Sequence, residues 1–297
     1  MIFREKRNRR HETTTNGPND RFRMARPNKR YLRLATALPL GILLLFTAPL
    51  AGTSQVEAAP LRTMKNTAFT YGEKLTFAVR YKFVTAGYAV MSVGSKPVTV
   101  SGRKTYPVKF SVRTTSSFDK IFRVRDIYRT WIDVDGLFPW KFQQQVREGD
   151  YKRDFSANID QRAHKARTTQ GTFKVPSYVQ DVLSAFYYAR AYDLRSMKKG
   201  QSFTVKNFYG KKAHTLRVRM LGKQTVETDA GTFRCLKLEP MVAKGGLFKN
   251  DGRIFLWVTD DARKMPVKVS ASVPIGSIDS ELVKYSGVKG GVAAKIK

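Results

Sequence analysis

Residues 127–146 read IYRTWIDVDGLFPWKFQQQV: a run rich in Ile, Tyr, Thr, Trp and Val, an Asp135-Gly136 pair, then a second apolar-polar run. β-Branched and aromatic side chains suit the pleated surface of a strand, and Asp-Gly between two such runs predicts a hairpin. The pattern extends in both directions. Upstream, residues 75–83 (LTFAVRYKF) alternate, 85–87 turn, 88–93 return, and 106–114 (YPVKFSVRT) repeat the period of two through Val108, Phe110 and Val112. Downstream, 151–159 and 163–173 form the next pair, and further strands are read at 201–209, 213–221, 225–228, 232–239, 253–259, 266–273 and 280–285. Short turns between consecutive strands imply an antiparallel meander, because parallel neighbours need long crossovers. The segment 241–252, with Gly245-Gly246, reads as a mobile loop.

One segment departs from this period. Val179, Val182, Leu183, Phe186 and Tyr187 recur at helical spacing, and Ser177 with Gln180 behind Pro176 suggests a capping box, which predicts a helix over 178–192. The expected fold is therefore mainly β: a curved antiparallel sheet or incomplete barrel with one amphipathic helix packed on it.

The N-terminal region states a location. Arg26, Lys29, Arg30 and Arg33 lead into the uncharged run 34–50, interrupted by Pro39, Gly41 and Pro49, and Val56 and Ala58 occupy the −3 and −1 positions of a cleavage site. The reading is a signal peptide over 24–58, cut after Ala58, with a retained membrane anchor as the alternative and Met24 competing with Met1 as the start. The domain scheme is a cytoplasmic extension plus signal (1–58), a linker (59–68), a single β-rich domain (69–286) and a flexible basic tail (287–297), in the periplasm. Cys235 is the only cysteine, so no internal disulfide, cysteine metal cluster or lipoprotein attachment site is available, and it reads as a small buried hydrophobe. Past residue 58 the chain keeps 44 Lys/Arg against 19 Asp/Glu, or +25, which favours anionic neighbours such as lipid headgroups, lipopolysaccharide phosphates or acidic glycans over nucleic acid.

Several motifs in order resemble a known family. These are Tyr81…Ala86-Gly87, Asp126…Tyr128-Arg129…Asp133…Leu137…Pro139-Trp140 and Glu148-Gly149…Tyr151, then residues 179–190 (VQDVLSAFYYAR), residues 229–233 (DAGTF) and Leu256-Trp257…Asp260…Pro266-Val267-Lys268. The chain resembles the bacterial exported domain-of-unknown-function family numbered 3108 over about residues 69–286. The resemblance implies an exported protein with a curved antiparallel sheet akin to the half-barrel carriers of lipoproteins. It supplies no catalytic residues.

The functional expectation follows from what is present. His164 and His214 both read as surface residues, without the partners of a nucleophilic triad or a zinc site. Asp133/Asp135 and Asp260-Asp261 are the only paired carboxylates with enzymatic appeal, and both sit where turns need Asx side chains. No enzyme activity, cofactor or metal is therefore expected. The aromatic residues suggest a groove for acyl chains or sugars, with Phe77, Tyr81, Phe110, Tyr128, Trp131, Trp140, Phe186 and Trp257 as its candidate lining. Basic side chains at its mouth would pair with an anionic head. The leading reading is a non-enzymatic envelope protein binding or carrying a lipid or glycolipid. An envelope assembly protein without small ligand, and a carbohydrate-active enzyme using paired aspartates, stay open beside it. An outer-membrane barrel is disfavoured because Lys109, Arg113, Arg217 and Arg219 fall in mid-strand, where each charge facing lipid would cost about 2–4 kcal/mol.

Overall fold

A computed structural model describes residues 60–241, 253–273 and 276–297. The signal segment, its cleavage point and nearly all of the 241–252 loop lie outside these residues. Among the described residues fifteen strands form one sheet: β1 Lys74–Tyr81, β2 Val84–Val93, β3 Val98–Val100, β4 Arg103–Thr114, β5 Arg125–Asp133, β6 Pro139–Glu148, β7 Tyr151–Asp160, β8 Lys165–Thr168, β9 Gly171–Lys174, β10 Ser202–Tyr209, β11 Lys212–Thr228, β12 Gly231–Met241, β13 Ile254–Thr259, β14 Pro266–Val273 and β15 Gly276–Ser286. Among the described residues two helices accompany it, α1 Ser116–Asp119 and α2 Val182–Ala191.

Every ladder among the described residues is antiparallel, as the short turns require. Neighbours in the sheet are neighbours in the chain except where β2 pairs with β4, leaving the short β3 beside β4, and where β15 pairs with β1, joining the two halves into the order β10 to β15, then β1, β2, and β4 to β9. Among these residues no ladder closes the sheet. Its two ends approach through the segment before α2, where Gln180 N donates to Lys206 O (2.8 Å) and Phe208 N donates to Gln180 O (2.7 Å). Side chains continue the seam: Phe173 and Phe208 lie 6.2 Å apart, and Arg153 Nη1 donates to the Tyr209 hydroxyl at 2.8 Å.

The predicted hairpin forms between β5 and β6, but by a different mechanism from the one Asp-Gly usually signals. The left-handed residue is Leu137 (φ 50°), not Gly136. Gly136 is required because a side chain there would collide with the Phe138 ring and the Arg62 carbonyl. The turn is fixed by Asp133, whose Oδ1 accepts from Asp135 N (3.0 Å) and Gly136 N (2.8 Å). Residues 213–228, read as two strands, are one long strand with a register shift between Met220 and Gly222.

The helix lies in the trough between the two halves. Leu183 and Tyr187 belong to the core cluster of Leu75, Phe77, Met91 and Ile132, whereas Ala185 and Ala189 belong to that of Val205, Val218, Leu238 and Val258. It begins at Val182, not 178. Asp181 is the N-cap, accepting from Leu183 N and Ser184 N at 2.8 Å each, and Ser184 Oγ accepts from Asp181 N, so the capping box is Asp181/Ser184 in place of Ser177/Gln180. Gln180 is spent on the seam and Tyr178 is left-handed (φ 55°), which rules out helix there.

Asp181 also accepts from Thr130 Oγ1 of β5 at 2.6 Å and is fully enclosed, and burial pushes its carboxyl up to about 6. An acid whose folded pKa exceeds its unfolded value near 4 stabilises the fold at low pH and loses that contribution as pH rises from about 4 to 6. Asp181→Asn keeps an acceptor for the helix N–H groups. Urea denaturation should show the variant matching the parent at pH 4 and exceeding it at pH 7.5 by about 2–3 kcal/mol. Equal destabilisation at both values would contradict this account of the cap.

Both chain segments flanking the sheet are more ordered than their composition suggests. The expected linker is docked: Met64 N donates to Asp135 O (2.7 Å), Arg62 Nε donates to Gly136 O (2.9 Å), its guanidinium lies over Tyr178 (4.5 Å) and Tyr188 (5.0 Å), and Ala68 is buried. The tail expected to be flexible adds to the edge of β12, with Ile296 N donating to Thr232 O (2.7 Å) and Arg234 N to Ala294 O (2.9 Å). Ala294 is buried and its N–H bonds Asp261 Oδ2 at 3.0 Å. Such isolated backbone contacts leave no periodic trace in sequence.

Candidate functional site: an apolar cavity beneath the helix

Because strand side chains alternate between faces, a curled sheet turns one set inward. Phe77 and Val79 of β1, Ala89 and Met91 of β2, Phe110 and Val112 of β4, and Leu216 and Val218 of β11 point into a cavity of about 590 Å³. Ile254, Val269, Ala271 and Ile278 continue the wall, and Val182, Leu183, Ala185, Phe186 and Ala189 of α2 roof it. Space remains because four inward positions, Ala89, Ala185, Ala189 and Ala271, carry alanine. A volume of this size falls in the range of small-molecule and lipid sites.

The cavity has one polar end, built by β5, β6, β10 and β11. Asp126, Tyr128, Gln144, Glu148, Asn207, Tyr209 and His214 line it. Asp126 and Glu148 are hydrogen-bonded to each other, and burial raises both carboxyls above the usual range, with the Asp126 charge adding to the rise at Glu148. Asp126 Oδ1 also accepts from Arg147 N at 2.8 Å. Burial likewise raises the Tyr128 phenol. Gln144, opposite Tyr128 across the ladder, is buried, and its Oε1 has no partner among the described residues. Among those residues no Lys or Arg lines the cavity, so the expected pairing of basic groups with an anionic head is not built into these walls.

The eight candidate lining residues divide evenly. Phe77, Phe110, Tyr128 and Phe186 line the cavity; Tyr81, Trp131, Trp140 and Trp257 do not. Trp131 stands three residues from Tyr128 on β5, an odd separation that puts it on the other face, where Lys141 Nζ sits 5.1 Å from its ring. Trp257 faces away from its inward neighbour Ile254 for the same reason, with Lys237 Nζ at 4.8 Å and its Nε1 donating to Gln224 Oε1 at 2.9 Å. Trp140 has inward parity but is consumed by packing, edge-on to Phe138 and donating to Asp133 Oδ2 at 2.9 Å. Tyr81 ends β1 opposite the lining residue Ile278 without itself forming part of the wall.

Of the paired aspartates, Asp133 and Asp261 hold turns and neighbouring side chains through their hydrogen bonds. Asp133 is fully buried and holds Arg103 by two bonds of 2.8 and 2.9 Å as well as the hairpin N–H groups. Asp261 accepts from Thr259 Oγ1 (2.7 Å), Arg263 N (2.9 Å) and Ala294 N (3.0 Å). His164 is exposed in a turn, whereas His214, expected at the surface, lines the cavity. Cys235 is buried, and burial pushes its thiol up to about 12. The carboxyl pair Asp126/Glu148 is not among the sequence-based candidates, although Asp126 shares the inward face of Tyr128 two residues away.

A single antiparallel sheet rolled around an apolar cavity and roofed by one helix defines a barrel-like, open class of β protein. The chain belongs to the family of proteins of unknown function DUF3108, whose model matches residues 76–283. Among solved structures it is similar to a β-barrel-like protein of the domain of unknown function DUF1849 from Brucella abortus, at 12% identity and a TM-score of 0.51 over 74% of this chain and 98% of that one. It also matches a putative exported protein with a YmcC-like fold from Bacteroides fragilis, at 14% identity and a TM-score of 0.35 over 76% and 100% of the two chains. No curated protein sequence matches it.

Proposed function

We propose that this chain is an exported, periplasmic envelope protein that holds the apolar chain of a lipid or glycolipid in its interior cavity and carries out no chemistry on it. The observation that carries this reading is the cavity of about 590 Å³, walled by Phe, Val, Met, Leu, Ile and Ala with polar groups confined to one end. Such an arrangement accepts an alkyl chain along its length and a polar head at the Asp126–Glu148–Gln144 end. Walls that carry Asp and Glu, and no Lys or Arg among the described residues, favour a head without negative charge over the anionic one expected from net charge. The carboxyl pair supports binding over glycoside cleavage: two hydrogen-bonded carboxyls are closer than the roughly 5 Å or more that a glycosidase leaves between acid and nucleophile. The test is titration of delipidated protein with a fluorescent long-chain acyl compound. Saturable binding in the micromolar range, about 8 kcal/mol, is expected. Absence of saturation with any acyl compound would favour an assembly protein without small ligand.

A further inference from the structure

The end of the sheet where the cavity becomes polar also carries the most exposed apolar side chains among the described residues. Phe83, at the tip of the β1–β2 hairpin, is 102% exposed; Val84 beside it is 58% and Ile121, in the β4–β5 connection, is 77%. Antiparallel order brings these two turns together. β2 begins where β4 ends, with Gly87 opposite Thr114 and Thr115 N donating to Ala86 O at 3.0 Å. Exposed Lys82, Lys120 and Arg123 flank the apolar groups, while the nearest acid on that connection, Asp119, is already bound to Arg125; Asp150 is the one exposed carboxylate in the adjoining β6–β7 turn. Full exposure of a Phe at a loop tip costs solubility unless it is covered in use, and a ring of cations around it selects what covers it.

We propose that this end docks on an anionic bilayer surface, with Phe83 and Ile121 entering the headgroup region and Lys82, Lys120 and Arg123 resting on its phosphates. The cavity reaches the same end: Val124 and Glu148, bridged to one another just inside the β4–β5 and β6–β7 turns, are part of its wall. Docking there sets the polar end of the cavity against the membrane, where a lipid would be taken up or delivered. That last point rests on the proposed lipid binding; the docking itself does not.

Single-tryptophan-substitution variants of the chain test it site by site. Phe83→Trp and Ile121→Trp change exposed loop positions and leave the fold intact; Val98→Trp, exposed in β3 at the opposite end of β4, is the control. On vesicles of phosphatidylethanolamine with phosphatidylglycerol containing brominated acyl chains, emission from the first two variants, measured against the parent, should shift to the blue and be quenched several-fold more than that from Val98→Trp. Replacing phosphatidylglycerol by phosphatidylcholine should abolish the difference. Quenching equal at all three positions, confined to Val98→Trp, or absent from all would overturn the proposal, and each of these results is independent of whether acyl compounds enter the cavity.

Discussion

Arg190→Met is expected to lower the unfolding free energy by about 3–5 kcal/mol, because it strands a buried carboxylate without its cation. Arg190 and Glu73 are each 1% exposed and meet in a bidentate pair of 2.6 and 2.8 Å. The guanidinium also donates to Ala68 O (3.1 Å) and Arg263 O (3.3 Å) and lies 5.5 Å from the Phe69 ring and 5.3 Å from the Tyr187 ring. Once the cation is gone, the Glu73 carboxylate is left without its partner in a buried site. For a domain of this size the loss corresponds to a melting temperature about 10 °C lower. Because the penalty comes from the orphaned charge, the double variant Glu73→Leu/Arg190→Met should recover much of it. Calorimetry of the four proteins measures both effects, and additive losses in the double variant would contradict the pairing. The pair ties α2 to the segment ahead of β1, so it also holds the roof of the cavity in place.

Asp133→Ala should cost about 3–4 kcal/mol for a different reason. One carboxylate here closes the β5–β6 hairpin through two N–H groups, receives Trp140 Nε1 and neutralises Arg103. Burial pushes its pKa up, but the bonds from Arg103, Trp140 and Gly136 outweigh burial and hold it below the usual carboxylate range. Arg103 is a third exposed and can turn to water, whereas the bonds from the Trp140 indole and the Gly136 amide are buried. Asp133→Asn retains an acceptor and should lose roughly half as much. Urea denaturation of both variants reads the order, and an alanine variant as stable as the parent would show the turn to be held by other contacts.

The meander is legible in sequence because its signals are local: a period of two, Gly and Asp at turns, and apolar runs of strand length. The turn from β5 to β6 falls where Asp-Gly puts it, although its left-handed residue, Leu137, carries no conformational signal in sequence. The pairing of β15 with β1 is not legible, since nothing in either strand names a partner some two hundred residues away. The helix start is ambiguous because Ser177-Gln180 and Asp181-Ser184 both offer capping side chains, and only tertiary structure shows that Gln180 is claimed by β10. Strict parity separates Tyr128 from Trp131, and following it two residues back from Tyr128 reaches Asp126. The cavity itself has no single signature. It arises from alanine at Ala89, Ala185, Ala189 and Ala271, far apart in the chain and facing one another only after the sheet curls.

Those alanines give the most direct test of the central claim. Ala271 lines the cavity between Ile254 and Ile278 on neighbouring strands, and it is not fully buried, so Ala271→Phe directs a ring into empty volume. Acyl-compound titrations of parent and variant should be compared at equal unfolding free energy. Micromolar binding by the parent and at least roughly tenfold weaker binding by Ala271→Phe, a difference of about 1.4 kcal/mol, is the result expected if the cavity holds the chain. Equal affinity in the two proteins would place any acyl site elsewhere and contradict it.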